Sequence, residues 1–112
     1  MQILNVREFG SITEAQAKGV VYIGRPSPLG NPYRISAELS REAAIDNYRR
    51  WLYQALTSGN KVVVAAIESL TNESVLGCWC KPQACHGDVV ASAWEWWMLR
   101  GGREQWTTPS KV

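Results

Sequence analysis

Short apolar runs and longer helical stripes alternate along the chain. Ile3, Leu4 and Val6 precede a break at Gly10, so Gln2–Glu8 reads as a first strand. Val20, Val21, Tyr22 and Ile23 form an unbroken apolar run between Gly19 and Gly24, the pattern of a strand buried on both faces under helices. Between the two, Ser11–Lys18 fits a helical turn or a loop: Glu14 and Lys18 stand four apart, but Gly19 ends the segment early. After Ser40, a good N-cap, Ala44, Ile45, Tyr48, Trp51, Leu52, Ala55 and Leu56 recur at three- and four-residue spacing as far as Ser58-Gly59-Asn60, which predicts a helix.

Lys61–Leu70 carries two signals. Val62-Val63-Val64 favours strand, Ala65 to Leu70 continues as a helix would, and the segment is read as helix. Ser74–Trp79 predicts a third strand, and Gly87 to Arg100 a helix with Val89, Val90, Ala93, Trp94, Trp97 and Met98 on its apolar face. Gly101-Gly102 ends that helix, and residues 103–112 read as a polar C-terminal tail apart from Trp106. The order predicts one α/β domain over residues 1–102: a small Rossmann-like open sheet of about three mostly parallel strands with helices packed on it.

Composition agrees with a folded chain, since 46% of the 112 residues are hydrophobic and 20% are charged. The net charge of +2 comes from scattered residues rather than a stripe, which argues against a duplex nucleic acid partner. No run is long enough for a membrane span and Met1–Gly10 lacks secretory character, so no membrane partner and a cytoplasmic location are expected. Cys78, Cys80 and Cys85 crowd into one loop instead of forming a disulfide framework.

Strand, stiff loop and helix occur twice, through Gly24–Pro32 and through Gly77–Asp88. Ligands of open α/β sheets bind beyond the carboxyl ends of the strands, so parallel strands would bring Arg25 and His86 into one cleft. In the first loop Gly24 permits close backbone approach and Arg25 offers a cationic fork. Ser27 offers a hydroxyl there, and Asn31 an amide that can pair with a base edge or hold the loop. In the second, Gly87 and Asp88 open a helix whose N–H groups suit a phosphate, although Asp88 also suits a plain cap. Cys85, His86 and Asp88 are the candidates for chemistry: a thiol beside a helix start, the single histidine and a carboxylate.

Cys78, Cys80, Cys85 and His86 are also zinc-type ligands within nine residues, so a structural zinc clamp is an alternative, though their spacing is not a Cys-x-x-Cys with a distant second pair. No Gly-x-x-x-x-Gly-Lys and no Gly-x-Gly-x-x-Gly is present. Phosphoester hydrolysis through Cys80 is disfavoured because Lys81, Pro82, Gln83 and Ala84 supply no arginine to the loop.

The stretches Gly24-Arg25-Pro26-Ser27-Pro28-Leu29-Gly30-Asn31-Pro32 and Gly77-Cys78-Trp79-Cys80-Lys81-Pro82-Gln83-Ala84-Cys85-His86-Gly87-Asp88 resemble those of a family of small uncharacterised proteins. That family, a domain of unknown function, is widespread in bacteriophages and bacteria and carries Gly-Arg-x-Ser-x-Leu-Gly-Asn-Pro and Gly-Cys-Trp-Cys-x-Pro-x-x-Cys-His-Gly-Asp. The resemblance implies an α/β fold and no reaction. The residues themselves favour a site for a phosphate-bearing small molecule, a nucleotide or nucleoside, held by Gly24, Arg25, Ser27, Gly30, Asn31 and Gly87. No cofactor other than the zinc of the alternative reading is expected. A third reading is a phage-type protein that binds a host protein through exposed Trp96 and Trp106.

Overall fold

The computed structural model describes residues 1–100. In chain order the elements are β1 (Gln2–Asn5), a 3-10 turn (Val6–Phe9), α1 (Ile12–Ala17), β2 (Val21–Tyr22), α2 (Arg41–Thr57), α3 (Lys61–Glu68), β3 (Val75–Cys78) and α4 (Gly87–Leu99). The three strands form an open sheet in the order β1-β3-β2, and both pairings are parallel. All carboxyl ends therefore share one edge, where β2 runs into Gly24 and β3 into Trp79.

Alternation along β3 sorts the core onto two faces. Leu76 and Cys78 join Ile23 and the apolar sides of α2, α3 and α4 in the larger cluster. Val75 lies against the smaller one, built on Val6, Ala15 and Val20 beneath α1. The run from Val20 to Ile23 thus contributes to both clusters, as its unbroken apolar character predicts. No helix among the described residues is long and apolar enough to cross a membrane.

Three local outcomes differ from the sequence pattern or resolve it. The first strand ends at Asn5, not Glu8, because the Asn5 side chain accepts the Arg7 N–H at 2.8 Å and starts a 3-10 turn that carries Val6 under the sheet. Ser11–Lys18 is helical: the Ser11 hydroxyl accepts the Glu14 N–H at 3.1 Å, and the Glu14 carboxylate accepts from that hydroxyl instead of reaching toward Lys18. Helix wins over strand at Val62-Val63-Val64 because Asn60, which helps terminate α2, also caps α3 by accepting from Val62 and Val63 at 3.1 and 3.2 Å. Residues 103–112, assigned to a tail, lie outside the described residues, and Trp106 with them.

Candidate functional site

The loop after β2 folds as two tight turns, with the Ser27 N–H on the Gly24 carbonyl at 2.8 Å and the Gly30 N–H on the Ser27 carbonyl at 2.9 Å. Asn31 then fastens the loop. Its amide donates to the Ala44 carbonyl of α2 and its side-chain oxygen accepts the Tyr33 N–H, while its own carbonyl takes one arm of Arg25 at 2.6 Å. Of the two uses open to Asn31 in the sequence, holding the loop is the one these bonds show. Tyr48 bolts α2 to the same loop by donating to the Leu29 carbonyl at 2.6 Å, and burial raises its hydroxyl far above the usual tyrosine range.

The loop after β3 is held from β1. Asn5, buried at the strand's end, donates to the carbonyls of Trp79 and Lys81 at 3.2 and 2.7 Å. Its role has no signature in the sequence beyond an amide inside an apolar run. Lys81 in turn pairs with Asp88 on the surface at 3.2 Å.

Between the two loops lies a cleft of about 290 Å³. Gly24, Arg25 and Asn31 line it from the first loop, Trp79, Cys80 and Ala84 from the second, and His86 from the start of α4. The parallel sheet thus brings Arg25 and His86 together, and the Arg25 charge is felt at the imidazole. Residues that the sequence did not mark as site candidates complete the wall: Arg41, Ala44 and Ile45 from α2, and Tyr33, Arg34 and Ile35 from the segment leading to it. Arg41 hydrogen-bonds the Ala84 carbonyl at 3.1 Å, so α2 places in space, beside the cysteine loop, the arginine that residues 81–84 lack in sequence. Among the described residues, three arginines and no carboxylate line the cleft.

The remaining candidates stand elsewhere. Ser27, Gly30, Cys85, Gly87 and Asp88 do not line the cleft. The Ser27 hydroxyl is buried within the turns, with no hydrogen-bond partner among the described residues. Gly30 and Gly87 serve close packing: a Cβ would lie 2.9 Å from the Gly24 carbonyl oxygen and 2.9 Å from Ile3 Cγ2, respectively. The N-terminus of α4 also turns its donors inward. The N–H groups of Gly87, Asp88, Val89 and Val90 bond Cys85 Sγ, the Cys85 carbonyl and, for the last two, the His86 carbonyl. A phosphate expected at that helix start would find these donors occupied, so the positive potential of the site comes from the arginines.

Cys85 is buried in the main core cluster. Interaction with the neighbouring Cys78 thiol, and then burial, push the Cys85 thiol up, while the same interaction holds Cys78 down. His86 is 7% exposed, packs edge-on against Tyr48, and donates from Nε2 to the Ile23 carbonyl at 2.7 Å, with Nδ1 3.7 Å from Cys85 Sγ. Among the described residues no three His, Cys, Asp or Glu side chains are grouped to hold a metal ion. Trp96 is half-buried, edge-on to Tyr53 and under the Arg100 guanidinium, so it is not the exposed plate that the host-binding reading requires.

Burial lowers the His86 pKa, and the nearby Arg25 charge adds to the effect. The unfolded chain therefore binds this proton at higher pH than the folded one, so stability is full above about pH 6.5 and declines below it. The melting temperature is expected to fall between about pH 7.5 and pH 5, and to fall less in His86→Gln, which keeps a donor for Ile23. Equal slopes in the two proteins would contradict this.

Comparison with known proteins agrees with the resemblance to an uncharacterised family. Residues 9–96 match the family described as Domain of unknown function (DUF4326). The chain belongs to that family. Over 52 residues, 46% of its length, this DUF4326 chain is 42% identical to an uncharacterized 12.4 kDa protein in the nrdA-td intergenic region of Enterobacteria phage T4. The matched stretch spans 46% of that phage protein. No solved structure matches the chain.

Proposed function

We propose that the cleft binds a phosphate-bearing small molecule of the nucleotide class. The observation that carries this reading is the set of three arginines, Arg25, Arg34 and Arg41, in a cleft at the carboxyl edge of a parallel sheet that no carboxylate lines among the described residues. Arg25 and Arg41 each have one Nη bonded to a backbone carbonyl, which orients the guanidinium. Ala44, Ile45 and Ile35 supply the apolar wall that ligand clefts need beside their few polar groups, and 290 Å³ suits one mononucleotide better than a dinucleotide.

Thermal denaturation at low ionic strength with a panel of nucleoside mono-, di- and triphosphates, ribose 5-phosphate and pyrophosphate tests the reading. A ligand at tenfold excess over its dissociation constant stabilises by about 1.4 kcal/mol. The expected result is a shift with part of the panel that added salt weakens. A panel that shifts nothing removes the proposal.

A further inference from the structure

Trp79 is 43% exposed, on the wall of a cleft otherwise marked by arginines. An indole has a single hydrogen-bonding group, its N–H. In Trp79 that group donates to the Tyr22 hydroxyl at 3.0 Å, and the same hydroxyl donates to the Arg25 carbonyl at 2.9 Å. Gly24 leaves room for this hydroxyl, since a Cβ there would meet it. From the other side, Asn5 holds the Trp79 carbonyl. The ring is thus pinned by its polar edge to the backbone of Arg25, and its main chain is pinned to β1. A partly exposed aromatic ring is held in place on the wall that three arginines share.

Covering the core does not require this arrangement. Pinning an exposed ring does lower the entropy lost when a flat partner stacks on it. Base stacking on aromatic side chains is a recurrent source of affinity and depends little on base identity. We propose that Trp79 is the stacking plate for a nucleobase, so that the ligand of the cleft is a mononucleotide, with its phosphate on the arginines, rather than a base-free phosphate. This rests on the phosphate reading above and goes further, because the arginines alone would hold ribose 5-phosphate or pyrophosphate equally well.

The test compares, by calorimetric titration of the full chain, purine and pyrimidine nucleoside 5′-monophosphates with ribose 5-phosphate and pyrophosphate. The best nucleotide is expected to bind about 10-fold or more tightly than ribose 5-phosphate. Trp79→Leu should bring the two to near equality without weakening ribose 5-phosphate, while Trp79→Phe, which keeps an aromatic ring but loses the N–H that pins it, should retain only part of the difference. Binding should also quench fluorescence in the wild type more than in Trp79→Phe, whose five remaining tryptophans report the background. Ribose 5-phosphate or pyrophosphate binding as tightly as every nucleotide overturns the stacking plate and leaves the phosphate site standing. No binding by any of these probes overturns both. The wild-type comparison is decisive even if a variant fails to fold.

Discussion

Arg25→Ala and Arg41→Ala are each expected to weaken mononucleotide binding by about 10- to 100-fold. A hydrogen bond to a charged group contributes about 1.5–3 kcal/mol, and removing it in a partly desolvated cleft loses that amount. Within the folded chain these two side chains carry little: each bonds one backbone carbonyl at the surface, that of Asn31 in one case and of Ala84 in the other. Melting temperatures of the unliganded variants should therefore stay near that of the wild type, which separates weakened binding from failed folding. Arg25→Lys keeps the charge but not the fork that serves the Asn31 carbonyl and a phosphate oxygen together, so it should fall between wild type and Arg25→Ala. Titration calorimetry of the four proteins reads these effects. Unchanged affinity in Arg25→Ala would show that phosphate is held elsewhere.

The largest effect on stability is expected at the other end of α4. Trp97 is fully buried among α2, α3 and α4, and its indole N–H donates to the Glu68 carboxylate at 2.8 Å. Truncation to alanine removes the largest buried side chain of the main cluster and opens a cavity that the packed helices can close only in part. The cost should be about 3–5 kcal/mol, a large share of the roughly 5–15 kcal/mol typical of a whole domain. Trp97→Phe keeps most of the apolar packing and should cost clearly less. Urea unfolding measures both, with stability read from the midpoint and the slope checked for constancy. A loss under about 1 kcal/mol for Trp97→Ala would contradict this account of the core.

Much of this architecture was legible because it follows from periodicity. The seven apolar positions after Ser40 recur at helical spacing, and the structure places Ala44, Tyr48, Leu52, Ala55 and Leu56 of that stripe in the core. The meeting of Arg25 and His86 was legible for a topological reason: parallel strands must present their following loops at one edge. Side chains that act on a distant backbone were not legible. Asn5 ends one strand and holds the loop of another. It is a short amide whose distant partners are fixed only once the chain is folded.

The charges of the cleft were hidden for a related reason. Arg34 and Arg41 are isolated cations without a repeat, and only the fold places them beside Arg25. The start of α4 misled in the opposite direction. Gly87-Asp88 has the composition of an anion-binding helix start, but the bend through Cys85 and His86 returns a sulfur and two carbonyls to its N–H groups. Whether a helix start can take a ligand depends on the path of the preceding residues, which composition does not encode.

Amide chemical-shift mapping with a nucleoside monophosphate locates the ligand on the fold. Perturbations are expected to centre on Gly24, Arg25, Tyr33–Ile35, Ala44, Trp79 and Cys80, with α3 and the far end of α4 unmoved. Shifts clustered on α3, or none at saturating nucleotide, would contradict that placement.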